Sequence, residues 1–167
     1  GAKRHAYLQP IEMLRTDNQV EGLLMEMRMI KDFRPPINLQ AEVHGRQDSR
    51  HEERNLLLFV ADAERKGANI YFFHNGIFSG RITAPLGRPP SKRLRTKVET
   101  LFFTPDRGRK RRGEVWEKEI VSRWLKANQR RLNYLDVDEA GEFTAVLARL
   151  QHYLCDPDRL AHKVYYR

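Results

Sequence analysis

The chain has 167 residues, 40% of them hydrophobic, and 31 Lys and Arg against 22 Asp and Glu give it a formal net charge of +9. That length buries roughly 70% of the unfolded surface, so a globular protein of one compact unit, or two small ones, is expected. Its longest apolar run, Leu56 to Ala61, falls far below the roughly 18 residues that a membrane helix needs, and no charged region leads into an apolar stretch after Gly1 as in a signal peptide.

A single cysteine, Cys155, excludes an internal disulfide framework and a zinc-binding cysteine pair, which fits a reducing cytosol and a cytoplasmic protein. Beside Tyr153 and Leu154 on an expected helix, it reads as core filler. Ile11 to Arg15 reads as a short strand feeding a helix, because Thr16, Asp17 and Asn18 favour the cap position. From Val20, apolar residues fall at 20, 23, 24, 27 and 30, the one-sided spacing of an amphipathic helix. Pro35 and Pro36 stop it, since proline drives its predecessor out of helical geometry. The helix is predicted over about Asn18 to Phe33. Gly45 to Arg54 has no apolar residue and reads as a solvated linker, dividing the chain into residues 1–44 and 45–167.

Beyond the linker, Asn55 to Val60 and Asn69 to Phe73 have the apolar and aromatic density of strands. Asn75-Gly76, the pair that accepts positive φ at both central turn positions, joins the second strand to Ile77 to Thr83 in a hairpin. Three antiparallel strands follow from these runs. Pro85, Pro89 and Pro90 break the pattern, and Ser91 is placed to cap a helix through about Phe103. A charged loop, Thr104 to Gly113, precedes a longer helix from about Glu114 to Leu132. Ala140, Phe143, Val146, Leu147, Leu150 and Leu154 share the core spacing of one last helix. The fold class is therefore α+β: a glutamate-bearing helix with its short strand, then a small antiparallel sheet packed with two or three C-terminal helices.

At about 100° per residue, the apolar stripe of the first helix runs from Ile30 through Leu23 and Met27 to Leu24, and Glu26 falls just beside it. A carboxylate there is partly sheltered yet able to reach a cleft. This suits a ligand of Mg2+ or Mn2+, hard ions that take carboxylate and water oxygens and need only one or two protein ligands. Spacing alone is met more often by a boundary glutamate on an ordinary helix.

The wider run adds to this. Glu21, Gly22, Leu23, Leu24, Met25 and Glu26, then Met29, Ile30 and Lys31, then Arg34, Pro35, Pro36, Ile37 and Asn38 resemble the pattern E-A-L-L-L-E-x-x-L-I-K followed by x-x-R-P-x-Y-N. That pattern is the metal-ligand helix and exit turn of GIY-YIG nucleases of the UvrC excinuclease type. The matched run, Glu21 to Asn38, lies within residues 1–44, which make up about a quarter of the chain. The resemblance implies that Glu26 is a catalytic, metal-binding position for Mg2+ or Mn2+, that Asn38 belongs to the same site, and that residues 1–44 are the C-terminal part of such a module. It also implies a DNA endonuclease of nucleotide excision repair.

In that family the GIY and YIG tyrosines and an arginine precede the glutamate helix. Neither motif stands before Glu21 here, Tyr7 lies too close to the helix, and Ile37 replaces the usual tyrosine. The chain resembles the back portion of such a protein, expected to bind the ion weakly and not to cut alone.

Between Gly87 and Arg131 stand 15 Lys and Arg against five acids, leaving 16 against 17 elsewhere, so the whole basic excess lies there. Residues 45–167 thus form an α+β domain of unnamed role with a basic segment at 87–131, which favours a polyanionic partner such as duplex DNA held by its phosphates. Lys92, Arg93 and Arg95 fall on the helix after Ser91. Arg109-Lys110-Arg111-Arg112 is a loop bounded by Gly108 and Gly113. Lys118, Arg123, Lys126 and Arg130 lie within about 140° of one another, opposite Trp116, Ile120, Trp124 and Leu132. A non-catalytic nucleic-acid-binding module is the alternative function, and a solvated charged face is the plainer origin of such a run. The six histidines lack the i, i+4 pairing of a helical metal site. Tyr71, Phe72 and Phe73 suit base stacking, but alternate strand positions face opposite sides, so at least one of them is core.

Overall fold

Leu57, Phe59, Ile70 and Phe72 point to one side of their strands, and Leu56, Leu58, Tyr71 and Phe73 to the other, and all eight are buried. A sheet apolar on both faces needs cover on both. The computed structural model describes residues 14–16, 18–33, 54–61, 66–105, 115–128 and 130–156, and these supply that cover. The fold is α+β.

The sheet has four antiparallel strands, β1 (Leu56–Ala61), β2 (Gly67–His74), β3 (Ile77–Pro85) and β4 (Asn133–Asp136), in the order β3-β2-β1-β4. The β2–β3 turn is the expected one, with Asn75 at φ 51° and Gly76 at φ 74°. This pair of positive values matches the twist of the flanking strands. One face of the sheet carries α1 (Gln19–Phe33) and α3 (Val115–Asn128). Val20, Leu23 and Met27 of α1 and Val121 of α3 share a single apolar cluster with Leu58, Tyr71 and Phe73. The other face carries α2 (Lys92–Val98), a π-helical turn (Glu99–Phe103), α4 (Val137–Ala140) and α5 (Phe143–Cys155). There Leu94, Val98, Val146, Leu150 and Leu154 close over Leu57, Phe59, Ile70 and Phe72.

Several expectations change. Asn133–Asp136 is a fourth strand that periodicity did not reveal; it pairs with β1 through Leu57↔Leu135 and Leu58↔Tyr134. The last helix is two helices: Gly141 adopts φ 74° and ends α4, so Ala140 and Phe143 belong to different elements. The helix expected to reach Leu132 stops at Asn128. The helix after Ser91, whose hydroxyl accepts from the Leu94 amide at 3.3 Å, turns π-helical at Glu99 with the Thr104 amide donating to the Glu99 carbonyl at 2.9 Å. Tyr71, Phe72 and Phe73 are all core, because both sides of β2 are covered. Cys155 is exposed rather than core filler; Leu154 takes the buried position. Leu14 and Arg15 have no regular structure, and the rest of the expected first strand, the linker through residue 53 and residues 106–114 lie outside the described residues.

Leu150 is fully buried and Cys155 exposed on the same helix. Leu150→Ala should therefore lower unfolding stability by about 2–5 kcal/mol, while Cys155→Ser should stay within about 0.5 kcal/mol. Urea denaturation monitored by circular dichroism measures both.

Candidate functional site

The start of α1 is pinned to the sheet by one side chain. Asn18 is buried, and its Oδ1 accepts from the Val20 amide at 2.9 Å and the Glu21 amide at 3.0 Å, satisfying two of the orphan donors of the helix end. Its Nδ2 donates to the hydroxyl of Tyr71 on β2 at 3.1 Å. Tyr71 in turn donates to Glu21 Oε1 at 2.8 Å, and Arg81 of β3 forms an ion pair with the same carboxylate. Burial pushes the Tyr71 hydroxyl up to about 12; the hydrogen bond from Asn18 opposes that shift and the one to Glu21 reinforces it. Of the two glutamates in the run from Glu21 to Glu26, the first is thus structural. Its role was hidden from sequence because Tyr71 and Arg81 lie on strands far along the chain.

Glu26 differs. It is exposed, more open than its place beside the apolar stripe implied, and it makes no hydrogen bond or ion pair among the described residues. It borders an open groove of about 500 Å3 with Thr16, Gly22, Met25, Met29, Ile30 and Phe33. Phe33 is 74% exposed, and with Leu14 and Met29 it completes the exposed large hydrophobics among the described residues. Leu14, Met29 and Phe33 thus stand exposed around the same groove that Glu26 borders. Among the described residues no group of three or more His, Cys, Asp and Glu could hold a metal. The donors at hand are Glu26 and the Thr16 hydroxyl, oxygen ligands of the kind Mg2+ and Mn2+ take, and a single carboxylate completed by water fits those ions. Asn38 lies outside the described residues.

The basic residues do not form one patch. Lys92, Arg93 and Arg95 are exposed on α2, while Arg123 and Lys126 are exposed on α3 and Arg130 in the turn after it. Because Leu94 and Val121 enter opposite apolar clusters, the sheet lies between the two groups. Lys118 on α3 is partly buried, and Arg109, Lys110, Arg111 and Arg112 lie outside the described residues. Sequence reasoning also missed a cavity of about 320 Å3 between α3 and the ends of β1 and β2, lined by Arg54, Leu56, Phe73, Leu125, Lys126 and Tyr134 among others. No residue pattern signals it, since its walls come from three separate stretches of chain.

No protein-family model, no curated protein and no solved structure matches the chain. Among the described residues, no helix is long and apolar enough to cross a membrane.

The raised Tyr71 value carries a pH consequence. The folded hydroxyl ionises near 12 and the unfolded one near 10, so the unfolded state loses its proton first. The stabilisation is whole below pH 10 and declines as pH rises towards 12, by up to about 2–3 kcal/mol. In Tyr71→Phe, unfolding free energy should vary less between pH 10 and 12 than in the parent, as read by urea titration across that range.

Proposed function

We propose that this chain is the C-terminal part of a metal-dependent DNA endonuclease of the UvrC-like GIY-YIG kind, acting in excision repair in the cytoplasm and unable to incise DNA alone. The observation that carries the reading is Glu26: an exposed carboxylate with no partner among the described residues, on a helix where Met29 and Phe33 beside it are also exposed. The companion Glu21 is engaged through Oε1 by Tyr71 and Arg81, which fixes α1, while Glu26 has no partner among the described residues. A bound Mg2+ or Mn2+ polarises a phosphate and stabilises the leaving oxygen. Glu26, with Thr16 beside it, would hold such an ion. The exposed Leu14, Met29 and Phe33 fit a site completed by further protein, and in the family the groups that handle the attacking water come from elements before the glutamate helix.

The expected outcome is metal binding without cutting. Mn2+ added to the isotopically labelled chain should broaden amide signals around Glu26, Thr16 and Gly22, and Glu26→Gln should abolish the effect. A supercoiled plasmid should remain intact with Mg2+ or Mn2+. Broadening that survives Glu26→Gln would remove the metal site from α1, and nicking that disappears in Glu26→Gln would show that the chain is complete by itself.

A non-catalytic DNA-binding module is the second reading. It is favoured by Arg123, Lys126 and Arg130, exposed along one side of α3 and its exit with no ion pair among the described residues. Each phosphate contact contributes about one unit to the slope of log affinity against log salt. Replacing both Arg123 and Arg130 with Ala should flatten that slope by about two for a short duplex, measured by fluorescence anisotropy. An unchanged slope counts against α3 as the contact surface.

A further inference from the structure

The cavity between α3 and the sheet belongs neither to the Glu26 groove nor to a charged surface alone. Its walls are apolar: Leu56 of β1, Phe73 of β2, Val121 and Leu125 of α3, and Leu132. Its polar groups are Arg54, Ser122, Lys126 and Tyr134. Among the described residues no carboxylate lines it. A pocket of about 320 Å3, apolar with a few converging polar groups, has the build of a ligand site rather than a packing fault.

Arg54, one of the two cations in the lining, stands in a segment tied by several hydrogen bonds. The Arg54 carbonyl accepts from the Gly76 amide at 3.0 Å, and the neighbouring Asn55 Oδ1 accepts from the Asn75 amide at 2.9 Å. Asn55 is further tied to Asp138 by its amide at 3.0 Å and its Nδ2 at 2.8 Å. The Arg54 guanidinium forms an ion pair with buried Asp136, which also accepts from the Asp138 and Glu139 amides at the start of α4. Asp136 and, at 3.9 Å, Glu139 both pair with Nη2 of Arg54, and the other N–H groups of the guanidinium remain as donors. Lys126 makes no ion pair among the described residues. An apolar chamber whose lining includes Arg54 and Lys126 suits an apolar ligand that bears an anion. On the same helix Arg123 continues the positive charge outward, so a ligand belonging to a phosphate-linked strand fits better than an isolated aromatic acid.

We infer that this cavity takes one unstacked nucleotide of a DNA strand, its base against Leu56, Phe73, Leu125 and Leu132 and its phosphate against Arg54 and Lys126. Withdrawing a base from its neighbours is offset by apolar contact and a phosphate bond, as at other single-strand and extruded-base sites. The choice of a nucleotide rests on the DNA-handling reading proposed above. The cavity gives that reading a means of holding unpaired DNA, separate from the metal position on α1.

The test uses the full chain with methyl-labelled Leu and Val, titrated with 2′-deoxyadenosine 5′-monophosphate. The expected result is chemical-shift change at Leu56, Val121, Leu125 and Leu132, with inorganic phosphate leaving those methyls unmoved. Lys126→Ala should weaken the nucleotide's binding about tenfold. Leu125→Trp, which fills the chamber from a half-buried position, should abolish the remaining methyl shifts while circular dichroism stays unchanged. If that variant does not fold, the titration of the parent chain and of Lys126→Ala still decides. The inference is overturned if the nucleotide and inorganic phosphate move the same surface signals, if benzoate binds as well as the nucleotide, or if the methyls do not respond. Mn2+ broadening around Glu26 is read in parallel on the amide-labelled full chain. Its loss with the pocket intact sinks the nuclease reading alone, and its persistence with a silent pocket sinks this inference alone.

Discussion

The placement of Glu26 depends on Asn18. A helix packed on a sheet by an apolar stripe can still slide or rotate, because hydrophobic contact is non-directional. Asn18 removes that freedom by making directional bonds both ways, to the first amides of α1 and to the Tyr71 hydroxyl in the centre of the sheet. Tyr71 passes the constraint to Glu21, and Arg81 closes it from β3. Buried polar groups linked in this way are costly to leave half satisfied and for that reason define one arrangement. Glu26, further along α1 and without a partner among the described residues, inherits its position from that arrangement.

A second Asx cap repeats the device at the other end of the sheet. Asp136 accepts from the first amides of α4 and also forms the ion pair with Arg54. In both places a residue chosen for local helix-end chemistry also makes a distant tertiary contact. The two caps secure the helix that bears Glu26 and the Arg54 side chain that lines the cavity, and the sheet between them provides the frame.

How much of this was legible in the sequence depended on how far apart the interacting residues are. Asn18 at the start of α1, the Asn75-Gly76 turn and the Ser91 cap were readable because each is a local motif with its own geometry. The strand Asn133–Asp136 was not, because four residues carry too little pattern and its partner, β1, lies far back in the chain. The split between α4 and α5 was missed because Gly141 interrupts a spacing that otherwise looks continuous. Glu26 was singled out by its run of neighbours, and the fold adds that its side chain is exposed. The structural role of Glu21, 50 residues before Tyr71 and 60 before Arg81, required the folded sheet, as did the cavity.

The exposed Cys155 gains meaning from its position. It ends α5, on the side of the sheet opposite α1 and α3, and it is the chain's only thiol. A dye or spin label attached there sits at one defined point, away from both the carboxylate and the chamber. Distances from that point to a paramagnetic ion on α1, or to a labelled strand along α3, could be measured without removing any other cysteine.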